Sequence, residues 1–107
     1  MADLNEYTAW MDEFVREKGW YQPRTLRPQT PRNMAISLSI EAAEILEHFQ
    51  WSDEPADKNA LASELADVFL YLLQLARVSG IDLHQATIDK LERNRKRTWD
   101  ENRRERR

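Results

Sequence analysis

Cysteine is absent from all 107 residues, which excludes disulfides, thiolate metal sites and a cysteine nucleophile. Histidine occurs only at His48 and His84, too few for most zinc sites. Glycine is equally scarce, with Gly19 and Gly80 alone, and no G-x-x-x-x-G-K-S/T segment is present to cradle phosphates as a P-loop does. Proline is confined to Pro23, Pro28, Pro31 and Pro55, so long stretches carry no helix breaker. No apolar run approaches the roughly 20 residues that span a bilayer. The opening MADLNEYTAW lacks the basic-then-apolar pattern of a signal peptide, so a cytoplasmic location and no membrane partner are expected. What is present is charge, at 33%, and hydrophobic residues, at 41%, a mixture too apolar for a disordered chain. The length suits a single domain over 1–107 with one modest core. Any metal chemistry must therefore run on carboxylates.

The formal net charge of −3 conceals a split. Lys90 to Arg107 holds nine basic and four acidic residues, whereas residues 1–89 hold seven basic and fifteen acidic. A basic end reads either as a nucleic-acid tail or as a solvated helix terminus whose cations complement the helix dipole. The final DENRRERR, about 100–107, has no apolar face and is expected to fray.

The pattern between the breakers is helical throughout. Asp3 and Glu6 have capping-box spacing, and Leu4 to Lys18 places Tyr7, Trp10, Met11, Phe14 and Val15 on one face, with Gly19 suited to a left-handed stop. After a loop, WYQPRTLRPQ, Thr30 and Pro31 read as N-cap and first position of a second helix reaching about Phe49. The polar link WSDEPAD leads to a third helix from about Lys58 to Ser79, roughly 33 Å long at 1.5 Å per residue. Gly80 ends it, and Asp82 caps a fourth helix, with Gln85 at the box position. No period-two strand pattern occurs. The expected fold is all-α, a bundle of about four helices.

Chemistry enters with acids in apolar surroundings. In ELADVFLYLLQLA the only charges are Glu64 and Asp67, and Glu64, Asp67, Tyr71 and Gln74 recur at spacings of three and four as one polar stripe. The second helix carries a matching pair, Glu41 and Glu44, in SIEAAEILEHF. Unpaired burial would cost several kcal/mol per ion, so these acids need a cation. Four carboxylates from two helices suit Mg²⁺ or Mn²⁺, which also favour phosphate oxygens. The plainer reading is that each pair is a solvated face or bonds an arginine. A di-iron centre would want Glu-x-x-His, but Ile45 and Ile81 stand three before His48 and His84.

PRNMAISLSIEAAEILEHFQW followed by ELADVFLYLLQLA resembles the all-α nucleoside triphosphate pyrophosphatases of the MazG-like and dCTP pyrophosphatase group. Their motif, E-x-x-E, a spacer, then E-x-x-D, is matched by Glu41, Glu44, Glu64 and Asp67, with 19 residues between Glu44 and Glu64. The resemblance extends from REKGW to KLERNRKR. It implies that the four acids are the catalytic Mg²⁺ ligands, that Lys90, Asn94 and Arg97 on the last helix face the triphosphate, and that Tyr71 is a substrate-site tyrosine on the third helix. Trp20 and Trp51 match tryptophans that line the base pocket. It further implies a homo-oligomer, dimer or tetramer, with long helices pairing into a larger bundle. Two departures touch base selection: the family's first-helix histidine falls at about Met11, and the link from Trp20 to Pro31 is longer than usual. Thr98 and Trp99 also replace a tyrosine–proline pair.

The expected function is Mg²⁺-dependent cleavage of a (deoxy)nucleoside triphosphate, dCTP or a modified dCTP foremost, to the monophosphate and pyrophosphate. The family implies a role in cleaning the nucleotide pool. The alternative is a helical interaction module whose basic tail binds nucleic acid. That explains the tail but leaves the embedded acids of the third helix without a cation, so nucleic acid is not the expected partner.

Overall fold

A side-chain cap starts each α-helix of the computed structural model, which describes residues 1–98. Asp3 begins α1 (Leu4–Glu17) with a complete capping box to Glu6, and Thr30 begins α2 (Pro31–Glu44) with proline at the start. Asp57 begins α3 (Lys58–Val78) by accepting from the Asn59 and Ala60 N–H groups, and Asp82 begins α4 (Leu83–Lys96). The box at α4 is half made. The Gln85 N–H donates to Asp82, but the Gln85 amide turns forward to Asp89 at 3.0 Å. No strand occurs among the described residues, and the fold is all-α. The expected frayed end, 100–107, lies outside them.

The α-geometry of the second helix stops earlier than its apolar pattern suggests. At Ile45 the N–H bonds back to both Ala42 and Ala43, tightening the turn, and Ile45–Phe49 continues as a 3₁₀ segment. Gly19 (φ 76) and Gly80 (φ 69) end α1 and α3 in the left-handed conformation that other residues rarely adopt.

Leu73 on α3, 1% exposed, is the centre of the core. Met11 and Val15 of α1 close on it, with Leu4, Trp20, Tyr21, Phe69 and Leu83 packed around them. α1 therefore crosses the C-terminal half of α3, α2 packs along α3, and α4 touches α1. Only part of the α1 stripe is covered: Tyr7, Trp10 and Phe14 remain exposed. Beyond Gly19 the chain doubles back, so that Trp20 meets the Phe14 ring edge-on at 5.6 Å. The loop closes where the Asn33 amide donates to the Pro28 carbonyl at 2.9 Å. That loop and the α2–α3 seam frame the site.

Candidate metal and nucleotide site

Glu64 and Asp67 stand one turn apart on α3, and Glu41 faces them from α2. The three offer carboxylate oxygens that all lie within 4.8 Å of one another. A hydrogen bond with Glu64, burial and the charges of Glu64 and Asp67 push the Glu41 carboxyl up to about 7. Glu64 Oε2 is buried with no hydrogen-bond partner among the described residues. Crowded hard oxygens, one orphaned and one holding its proton, fit a divalent cation, which would relieve all three strains at once. Glu44, part-buried at the end of α2, stands outside this trio.

The acids open into a cleft of about 340 Å³. Glu41 and Asp67 are its acidic lining, Tyr71 and Gln74 follow Asp67 along α3, and Trp20, Met11, Phe14 and Val15 are among its apolar lining. Asn33, Met34 and Ser37 of α2 make one wall, and the loop residues Leu26, Arg27, Pro28 and Gln29 make another. Arg27 is the one cation among the described lining residues, and its guanidinium lies 5.3 Å from the Trp20 ring centre.

Of the residues singled out in the sequence, Glu41, Glu64, Asp67, Tyr71 and Trp20 are brought together here. Trp51, 89% exposed, is not among the cleft residues, nor are the part-buried Lys90, Asn94 and Arg97 at the far end of the chain. Met11, at the position of the missing histidine, is buried against the cleft.

A polar chain that the sequence did not reveal joins the loop to α1 and α3. Tyr21 donates its hydroxyl to Asp12. Asp12 also holds Arg77 Nε at 2.9 Å and Arg16 at 3.2 Å. Burial pushes the Asp12 carboxyl up, but the Tyr21 hydrogen bond and the two arginines prevail and hold it below its ordinary value. Burial and the bond to Asp12 raise Tyr21. The bond to Asp12 likewise raises Arg77. Gln74 Nε2 donates to Tyr21 at 3.2 Å and to Gln29 Oε1 at 2.9 Å, tying the loop to α3. Gln74 was visible as the last member of the α3 stripe. Tyr21 and Gln29 sit in an aperiodic loop, where spacing carries no signal.

The MazG-like family model matches residues 36–106. The chain is 37% identical to dCTP pyrophosphatase 1 of Mus musculus over 94 residues, covering 79% of this chain and 52% of that protein. The Homo sapiens protein of the same name is 35% identical over the same shares. The chain thus spans about half the length of these curated relatives. Among solved structures, a pyrophosphatase from Archaeoglobus fulgidus superposes with a TM-score of 0.72 at 35% identity, covering 88% of this chain and 90% of that one.

Proposed function

The chain belongs to the MazG-like family, and from that premise we propose that it is a Mg²⁺-dependent nucleoside triphosphate pyrophosphohydrolase. Its proposed substrate is dCTP or a modified dCTP, cleaved to the monophosphate and pyrophosphate. The observation that carries this reading is the convergence of Glu41, Glu64 and Asp67, two of which, Glu41 and Asp67, line the same cleft as Trp20. Anionic ligands for a cation and an aromatic face for a base are what a nucleotide–metal complex requires. The names of the relatives point the same way.

In this reading Glu41, Glu64 and Asp67 hold Mg²⁺, with Glu44 completing the set, and Mn²⁺ is an acceptable substitute. When bound, the ion supplies a Lewis acid for the phosphate oxygens and the attacking water. Water adds to the α-phosphorus, the bond to the β-bridging oxygen breaks, and a proton is released with pyrophosphate. Glu41, whose carboxyl is raised to about 7, would serve as a ligand only in its ionised form, its proton released to solvent. Trp20 would stack on the base, and Tyr71, one turn beyond Asp67 and in the same cleft lining, offers a hydroxyl for a phosphate or sugar oxygen.

Lys90, Asn94, Arg97 and Trp51 do not line the cleft of their own chain. We assign them to the cleft of a neighbouring copy in a homo-oligomer, where Lys90 and Arg97 would answer the triphosphate charge. No helix among the described residues is long and apolar enough to cross a membrane, and a cytoplasmic location completes the proposal. The test is pyrophosphate release from a panel of dNTPs and NTPs with and without Mg²⁺. Release from dCTP only with the metal is expected. No release from any nucleotide overturns the reading.

A further inference from the structure

Gln74 is a buried amide, 2% exposed, at the wall of the cleft, and its orientation is determined from two sides. On one side stands Asp12, a carboxylate that can only accept. The single Tyr21 hydroxyl proton goes to it, so the Tyr21 oxygen must accept from Gln74 Nε2. On the other side stands the Arg27 carbonyl, which also can only accept. Gln29 Nε2 donates to it at 2.8 Å, so Gln29 turns its Oε1 toward Gln74 and again requires Nε2 there, at 2.9 Å. Two obligate acceptors, reached through different residues, thus impose the same amide orientation. Both Nε2 protons are spent. The Tyr21 oxygen lies 3.4 Å from Gln74 Oε1, but its proton is already committed to Asp12. The amide therefore has one capacity left for a ligand, an acceptor at Oε1.

We infer that Gln74 is a specificity-determining residue that selects a nucleobase bearing an exocyclic amino group over one bearing a carbonyl at the same position. This rests on the proposed reaction and deepens it. Cytosine presents an amino donor at position 4, where uracil and thymine present an oxygen. Two acceptors meeting in a buried site leave both unsatisfied, a penalty large enough to govern selectivity. Asp12 and Tyr21 act through Gln74 as positioning residues, because they determine which end of the amide is free.

The test compares kcat/KM for dCTP and dUTP, which differ in the position 4 group and in the proton that uracil carries on N3, in the wild type, Gln74→Met and Tyr21→Phe. Equilibrium binding of both nucleotides is measured in parallel. The wild type should favour dCTP by about tenfold or more. In Gln74→Met the ratio should approach one through loss on dCTP, with helical content retained. In Tyr21→Phe one Nε2 proton is unspent and can meet an oxo group, so the ratio should fall through gain on dUTP. This second variant carries the test if the first does not fold. A wild type blind to the two bases, or variants that keep its ratio, overturns the inference alone. Base-selective binding without pyrophosphate release overturns the reaction alone.

Discussion

Glu41 on α2 and Glu64 on α3 share a hydrogen bond across the helix seam, and Glu41 in consequence keeps its proton up to about 7, against an ordinary 4.5. A carboxyl raised on folding binds more protons in the native chain than in the unfolded one throughout that interval. Stability contributed by this group therefore falls as pH rises from about 4.5 to about 7, and stays low above it.

Metal-free protein in EDTA should accordingly melt at a lower temperature at pH 8 than at pH 5. Glu41→Gln, which keeps the shape and removes the titration, should melt higher than the wild type at pH 8 and no higher at pH 5. Adding Mg²⁺ at pH 8 should raise the wild-type melting temperature and leave Glu41→Gln nearly unmoved, since a dication replaces the proton only where a carboxylate can form. Parallel pH curves for the two proteins would contradict the assignment.

The same exchange of oxygen for amide separates metal binding from folding in the activity. Glu41→Gln, Glu64→Gln and Asp67→Asn should each reduce pyrophosphate release by about a hundredfold or more, the order lost when a metal ligand or its support is removed. Glu44→Gln should also lose activity, through weakened metal affinity that excess Mg²⁺ partly restores. Circular dichroism should show unchanged helix in all four. Full activity in any two would exclude the carboxylate site.

The grouping of Glu64 and Asp67 was legible because charges at three-residue spacing stand out inside ELADVFLYLLQLA, and the structure brings both to Glu41, although Asp67 is exposed and not buried as that apolar setting suggests. Three helix starts were legible because Asp3, Thr30 and Asp82 each cap by short-range chemistry, and the third helix was placed by its polar link, with the structure adding Asp57 as its cap. The switch to 3₁₀ at Ile45 was not, since ILEHF continues an apolar pattern that α- and 3₁₀-helices share over so few residues. Nor was the bond from Tyr21 to Asp12, which depends on the chain reversing at Gly19 and folding the loop onto α1 and α3. Periodicity locates residues along one element. It says little about a loop that borrows its partners from two.

Leu73 tests the junction on which that loop rests. It is 1% exposed, held between Met11 and Val15, and no polar atom replaces it if it is shortened. Leu73→Ala should cost about 2–5 kcal/mol, the range for a leucine lost from a close-packed core. The neighbouring Gln74 should then lose its fixed orientation as α1 and the loop loosen. Urea denaturation should show a lower midpoint at an unchanged slope. A loss below about 1 kcal/mol would mean that the α1–α3 contact is not the core.

Five apolar side chains are buried among the described residues, Met11, Val15, Met34, Leu73 and Ala76, a small core even for a single domain of this length. Meanwhile Ile36 and Ile40, one turn apart on α2, are 47% and 55% exposed, and Leu65 on α3 is 50% exposed. Leu72, two turns beyond Leu65, is also exposed. Aliphatic rows on two packed helices are costly in water and usually mark an interface. A second copy meeting them across a two-fold axis would extend the bundle and bring its own α4 and Trp51 toward the cleft. The particle in solution should therefore have at least twice the 12.7 kDa chain mass by light scattering. Ile40→Glu combined with Leu65→Glu should dissociate it, and activity and helical content should fall together, because no stable monomer remains. On dilution of the wild type the same two signals should decline in step. A folded, active particle at the mass of one chain would refute the assembly and leave Lys90, Asn94 and Arg97 without a site to serve.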